Sequence, residues 1–246
     1  MARRLFFVDE VHSGKAEISG DEAQHLTKVL RVEVGQKYEL SDNEHLYLAE
    51  VELARKSQVV FRVLEKHEPR PMPVKLHLAA ALIKFDHFEW MLEKATELGV
   101  EQITPVIAER SERGLDHAAG KRRERWERIL RESCQQSRRA HLPELKAAVS
   151  LRHVLQGEAD VRLFLDENEQ TLPVLNALPA ERNAERRVSL LIGPEGGWVD
   201  HERTSASEGG WQAVTLGPSV LRAETAAIAG MAIISAAWQI QNVNSK

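Results

Sequence analysis

Apolar and polar positions change rhythm once along this chain, close to residue 70. Before it come five short runs rich in β-branched or aromatic residues: Arg4–Val8, Ala16–Ser19, Lys37–Ser41, Leu46–Ala54 and Val59–Glu65. Turn residues such as Ser13-Gly14 and Asp42-Asn43 separate them, which predicts strands. One helix interrupts, from Asp21 to Leu30. Asp21 can cap it, and Ala23, Leu26, Val29 and Leu30 recur at helical spacing. Several strands and a single helix in so short a stretch predict a small β-barrel.

The rhythm breaks at Glu68-Pro69-Arg70-Pro71-Met72-Pro73. Three prolines in five residues fix φ and remove three donors, so neither a helix nor a central strand runs through. A domain boundary is expected here, with residues 1–70 on one side and 74–246 on the other. Beyond it strands and helices alternate. Strands are predicted at Val74–Ile83, Ile103–Ala108, Val161–Asp166, Val188–Ile192 and Trp211–Leu216. Helices are predicted at Phe88–Leu98 (with Gly99 as its stop), Gly120–Arg139, Asp200–Glu208 and Thr225–Gln241. Nearly all-apolar strands alternating with helices predict an α/β domain with a mainly parallel sheet covered on both faces.

Composition narrows the classes. The chain has 246 residues, 43% hydrophobic and 28% charged, with a net charge of −4. That mix supports a core and excludes a wholly disordered chain or a wholly basic nucleic-acid binder. A single cysteine, Cys134, excludes an internal disulfide and a Cys-rich zinc site. The apolar run after Arg3-Arg4 is too short for a signal peptide. The run Ala226–Trp238 is shorter than the ~20 residues of a membrane span and reads as a buried helix. A reducing, cytoplasmic setting is the resulting expectation. The charge is uneven. Arg110–Arg139 holds ten basic and five acidic residues, a net +5, which leaves −9 for the remainder.

Three features could carry chemistry. The first is Leu190-Leu191-Ile192-Gly193-Pro194-Glu195-Gly196-Gly197-Trp198, which leaves an apolar strand and enters a helix. Ligands bind in α/β sheets at such turns. Pro194 pushes Gly193 into extended geometry, and Gly196 and Gly197 can take φ > 0. No Lys or Arg lies between Ser189 and Asp200, so a triphosphate cradle is disfavoured. The carboxylate of Glu195 suits a neutral or cationic ligand. The second is Leu216-Gly217-Pro218-Ser219-Val220-Leu221-Arg222-Ala223-Glu224-Thr225. Thr225 is an expected N-cap, Glu224 would face the positive helix end, and Arg222 should be paired. The third is the +5 segment, whose helix buries a stripe of Trp126, Ile129, Leu130, Ser133 and Cys134. Its charged side reads either as a solvated face or as a phosphate-binding face with Arg110, Arg113, Lys121, Arg122, Arg123, Arg138 and Arg139. Cys134, on the stripe, reads as core. Ten scattered histidines show no metal-ligand spacing, and no metal is expected.

Several segments occur together in one order: Glu93-Lys94-Ala95-Thr96-Glu97-Leu98-Gly99-Val100, Arg110-Ser111, Trp126 with Glu132 through Arg139, Gly193–Gly197, Leu216-Gly217, and Leu221-Arg222-Ala223-Glu224-Thr225-Ala226. The N-terminal Arg-Leu-Phe-Phe-Val, His25-Leu26 and Val29-Leu30-Arg31 join them. In this the chain resembles the ribosomal RNA small subunit methyltransferase E family of the SPOUT class, over essentially its whole length. The resemblance implies a PUA-like, RNA-binding β-barrel over 1–70 and an α/β methyltransferase domain with a trefoil knot over 74–246. It implies S-adenosylmethionine as cofactor, a homodimer, and methylation of N3 of U1498 in 16S ribosomal RNA of the small subunit. The cofactor would be held by Leu191, Ile192, Gly193, Pro194, Glu195, Gly196, Gly197, Leu216, Gly217, Val220, Leu221 and Thr225. Arg222 and Glu224 would be catalytic, and Arg3, Arg4 and Arg31 would join the basic segment in binding RNA. Ser219, Ala223 and Gln135 depart from the residues common in the family, and Ser219 removes a basic group. A SPOUT enzyme for another RNA position or atom, or a non-catalytic RNA-binding relative, stays open at this level.

Overall fold

The computed structural model describes residues 4–168 and 171–244, and the chain divides into two compact units. The first comprises Met1–Arg70 together with Arg131–Leu142. Its strands are β1 (Leu5–Phe7), β2 (Lys15–Ser19), β3 (Lys37–Ser41), β4 (Leu46–Arg55) and β5 (Gln58–His67), with helix α1 (Gly20–Lys28) after β2. The sheet order is β1-β3-β4-β5-β2; β1 pairs with β3 in parallel and the other pairings are antiparallel. Two irregularities in the β4–β5 ladder, at Leu48/Ala49 and Val51/Leu53, mark where extra residues bend the long hairpin into a half-barrel. Its core is Phe6, Ile18, Leu26, Leu40, Val51 and Phe61. Asp21 does not cap α1. Ser19 holds the N-cap position with extended backbone, and Gly20, at φ +63, turns the chain into the helix.

The second unit holds β6 (Lys75–Ala81), α2 (Phe85–Glu97), β7 (Gln102–Ile107), α3 (Leu115–Ser137), β8 (Glu144–Leu145), β9 (Val149–Ser150), α4 (Leu151–Leu155), β10 (Val161–Leu165), β11 (Leu172–Pro173), α5 (Val174–Ala177), β12 (Arg187–Ile192), α6 (Asp200–Glu208), β13 (Gln212–Thr215) and α7 (Ala223–Asn244). The sheet order is β11-β13-β10-β12-β6-β7-β8, with β9 also on β7, and every described pairing is parallel. Successive residues of β12 show why its sequence is continuously apolar. Leu190 and Ile192 enter the core under α2 and α7, while Leu191 enters the opposite core with Phe164, Trp198 and Trp211.

Helix α3 runs from one unit into the other. Its residues to Leu130 belong to the second unit, and Arg131 onward belongs to the first. The domain expected over 74–246 therefore gives up Arg131–Leu142 to the first unit. There Cys134 packs with Leu5 and Phe7, and Ser41 Oγ donates to the Ala140 carbonyl at 2.6 Å, contacts between segments about a hundred residues apart that leave no local pattern. Cys134 is core, and burial pushes its thiol up to about 11.

Other boundaries moved for local reasons. Helix α3 starts at Leu115 because Gly114, at φ +87, turns the chain and its carbonyl accepts from Ala118. The segments β8, β9, α4, β11 and α5 are too short to give a periodic signal. Helix α7 is long and apolar enough by length and composition to cross a membrane. Its inward stripe of Ala227, Met231, Ile234 and Trp238 is nevertheless part of the core over β12 and β6.

Candidate active site

Strands β12 and β13 end on the same side of the sheet because all the pairings are parallel, so the two glycine turns that follow them converge there. Between them lies a pocket of 490 Å³, within the size range of cofactor sites. One wall is Ile192 to Trp198, the other Thr215 to Ala223 with Ala226, and the floor is Leu165, Asp166 and Glu167 at the end of β10.

The first turn is fixed from several sides. Gly197 N–H donates to the Pro194 carbonyl at 2.9 Å, and Gly197 stands at φ +69. A Cβ on Gly193 would lie 2.9 Å from the Trp198 ring, and one on Gly197 would lie 2.7 Å from Glu167 Oε1. Buried Trp198 is anchored by its indole N–H, which donates to the Leu165 carbonyl at 2.9 Å. Arg203 of α6 makes a fork with Asp166 at 2.9 and 3.2 Å and reaches Glu167 Oε1 at 3.0 Å and the Trp198 carbonyl at 2.5 Å. The hydrogen bond to Asp166 raises the Arg203 pKa above its ordinary value. Glu202, buried, accepts from the backbone N–H of Val199 and of Glu109, and Arg110 donates to the Gly196 carbonyl at 2.7 Å.

The second turn is looser. Thr215 Oγ1 donates to the Gly217 carbonyl and accepts from Gly217 N–H. Gly217 has φ +138, which favours glycine. Beyond it Val220 is 82% exposed, and Leu221 and Arg222 are exposed as well. Arg222 was expected to be paired. No ion pair is made by it among the described residues, because its side chain lies at the pocket rim and not under α7. Thr225 is not the N-cap. The helix begins two residues earlier, and the Arg222 carbonyl accepts its first bond from Ala226 at 2.8 Å.

Glu224, in the first turn of α7, is only 5% exposed and does not line the pocket. It faces His87 of α2. His87 Nδ1 lies 3.5 Å from Glu224 Oε1 and 3.7 Å from Glu195 Oε1, and the three ligand-type atoms fall within 4.8 Å of one another. Among the described residues neither His87 Nδ1 nor Glu224 Oε2 has a hydrogen-bond partner, and both atoms are buried. These residues come from three distant segments, so spacing along the chain gave no sign of the group.

The family description "RNA methyltransferase domain" matches residues 70–235, and "RNA methyltransferase PUA domain" matches 18–64. Ribosomal RNA small subunit methyltransferase E of Bacillus subtilis is 30% identical over 226 residues, covering 89% of this chain and 88% of that protein. This chain belongs to that family. The family's enzyme from Neisseria gonorrhoeae, solved bound to S-adenosyl methionine, is 29% identical with a TM-score of 0.86, over 96% of this chain and 98% of that one. A Legionella pneumophila protein solved with the same cofactor is 32% identical, with a TM-score of 0.87 and the same coverage.

Of the residues that the family resemblance assigned to the cofactor, Ile192 to Gly197, Leu216, Gly217, Val220 and Leu221 line the pocket. Leu191 and Thr225 do not: Leu191 points into the opposite core, and Thr225 lies on the exposed side of α7. Asp166, Glu167 and Trp198 were missed, since an acidic pair after a strand and a tryptophan after glycines have no motif of their own.

The basic residues separate into two kinds. Arg138 forks onto Glu39 at 3.1 and 2.6 Å, Arg122 sits over the Phe85 ring and beside Glu89, and Arg123 bonds Glu127 and the Leu145 carbonyl. Arg110 commits its guanidinium to the Gly196 carbonyl of the glycine loop. By contrast Arg4, Arg31, Arg113 and Lys121 are exposed and make no ion pair among the described residues. Arg139 is half-buried, and Arg3 lies outside the described residues.

Proposed function

We propose that this chain is an S-adenosylmethionine-dependent methyltransferase acting on N3 of U1498 in 16S ribosomal RNA, working as a cytoplasmic homodimer. The observation that carries the reading is the pocket between the two glycine turns, in a chain whose family relatives are solved with that cofactor. The residues present suit the group. The glycines leave no room for a Cβ where the wall is tightest, apolar groups dominate the walls, and carboxylates are the nearest charges on the first turn. S-adenosylmethionine supplies an electrophilic methyl group on a sulfonium, and such chemistry needs no metal.

The chain's own groups do the rest. The first turn offers backbone N–H and C=O groups in a fixed arrangement, which orients without reorganisation. Arg222, unpaired at the rim, stabilises the uracil as its N3 loses a proton, and water takes that proton. The buried carboxylate of Glu224 is turned from the pocket to His87, so we assign it a positioning role in place of the catalytic role that the resemblance implies. The half-barrel unit and the exposed Arg4, Arg31, Arg113 and Lys121 hold RNA phosphates. The dimer forms through the apolar outer side of α7 and the exposed Val220 and Leu221. β12 lies between the earlier strands β6 and β10, and the trefoil knot is proposed for this domain from the family resemblance.

The test is to incubate the protein with labelled S-adenosylmethionine and small subunits lacking the modification, then map the methylated nucleoside. Label at N3 of U1498 is expected. Label at another nucleotide or on a ribose oxygen would move the chain to another SPOUT specificity, and RNA binding without transfer would make it a non-catalytic relative.

A further inference from the structure

The two pocket walls differ in how they are held, and among the described residues one side chain faces a carboxylate from each. His87 Nδ1 is 3.7 Å from Glu195 of the first turn and 3.5 Å from Glu224, which follows the second turn on α7. The remaining ring nitrogen, Nε2, is 3.8 Å from Asp86. Three carboxylates therefore surround one imidazole. On the helices around it, Arg122 and Arg125 of α3 pair with Glu89, and Lys94 of α2 pairs with Glu93 and Glu97, while Lys84, three residues before His87, is exposed and makes no ion pair among the described residues.

A lone pair at Nδ1 would point at two carboxylates and repel both. A proton there is attracted by both, and a second proton at Nε2 faces Asp86. The buried, unpartnered Nδ1 and Glu224 Oε2 are groups left just short of contact; a proton at Nδ1 lets that gap close, and a second proton at Nε2 makes the closing group a cation facing three carboxylates. Histidine changes its charge between pH 5 and 8 in the ordinary case. A small movement of the exposed Glu195 suffices to complete the bridge, because its turn is otherwise set.

We propose that His87 is a positioning residue which, as an imidazolium, clasps the first glycine turn through Glu195 to the start of α7 through Glu224, and so holds the cofactor pocket closed. The inference rests on the reading of that pocket as an S-adenosylmethionine site. It makes cofactor affinity fall as pH rises through the histidine range. A Lys at position 87 keeps a cation there above pH 8 and removes that dependence.

The test uses the full-length protein and S-adenosylhomocysteine, with binding measured by calorimetry between pH 5.5 and 8.5, each titration run both without and with a chelator. Wild type is expected to bind about tenfold more weakly at the alkaline end, the equivalent of one charge-assisted contact. His87→Gln should bind weakly and without pH dependence, and His87→Lys should bind well at both ends. Glu224→Gln should flatten the wild-type profile. Thermal unfolding of each variant separates loss of the clasp from loss of the fold. A flat wild-type profile, or a His87→Gln profile matching wild type, overturns the clasp while leaving the cofactor site intact. No saturable binding by wild type at any pH overturns the cofactor reading and the clasp with it. Binding that collapses on chelation and returns with zinc would place a metal, not a proton, between the carboxylates, and would also overturn it.

Discussion

The two turns that build the pocket share a sequence pattern, strand then Gly-Pro then helix, yet they are held in different ways. The β12–α6 turn is pinned by a buried tryptophan, an arginine fork, a buried glutamate and Arg110. The β13–α7 turn is tied by one threonine hydroxyl, and it presents Val220, Leu221 and Arg222 to solvent. The difference teaches that similar motifs need not do similar work. A wall built in advance costs no ordering when a ligand arrives. A wall left open can adapt, and its exposed apolar residues gain from being covered by cofactor, RNA or a second copy of the chain.

The largest expected effect comes from unpinning the first wall. Arg203→Met leaves the Asp166 carboxylate, 4% exposed at its side chain, without its fork. Equilibrium unfolding should show a loss of about 3 kcal/mol, the scale for breaking one partner of a buried pair. A loss under about 0.5 kcal/mol would mean the fork is ornamental, and the contrast between the walls would weaken.

Next is Arg222→Ala on the open wall. Methyl transfer should fall about 100-fold, near 2.7 kcal/mol of transition-state stabilisation, as when one charge-stabilising donor is removed. Unfolding free energy should stay within about 0.5 kcal/mol, the range of exposed substitutions. Near-normal turnover would remove Arg222 from the chemistry.

Gly193→Ala sharpens the comparison from the other side. The added Cβ meets the Trp198 ring at 2.9 Å, so the ring or the loop must shift, at about 1–3 kcal/mol of stability. Val220→Ser, on the open wall, should change stability by under about 0.5 kcal/mol.

The smallest effect is outside the pocket. Burial alone would raise the Asp42 pKa, but the Tyr47 hydroxyl and the backbone N–H groups of His45 and Glu44 outweigh it and hold it at about 2. The folded value lies below the unfolded one, so this carboxylate contributes stability above about pH 4 that is lost as pH falls toward 2. Acid unfolding of Asp42→Asn should therefore be less pH-dependent across that window than wild type. Equal slopes would contradict the assignment.

The alternation of strands and helices was legible because parallel strands buried on both faces are continuously apolar, as Val188–Ile192 is. The glycine turns were legible for a related reason: Gly193 and Gly197 stand where a Cβ has no room. What stayed hidden depends on distance in space. His87 reads as one histidine among ten, and its meaning comes from Glu195 and Glu224, more than a hundred residues away. Arg138 and Arg122 read as free charges on a basic helix, and only the fold supplies Glu39 and Glu89 as partners. Helix starts were misread by a few residues where a carbonyl, not a side chain, set the boundary, as Arg222 does for α7.

The account turns on a division of work, with the pinned turn as the fixed wall of the proposed cofactor pocket and Arg222 of the open turn meeting the RNA base. Calorimetric titration of S-adenosylmethionine into wild type, Gly193→Ala and Arg222→Ala tests it most directly. The account predicts saturable binding by wild type, binding by Arg222→Ala within about twofold of it, and at least tenfold weaker binding by Gly193→Ala, the scale of 1.4 kcal/mol. Equal affinity in Gly193→Ala, or loss of binding in Arg222→Ala, would contradict it.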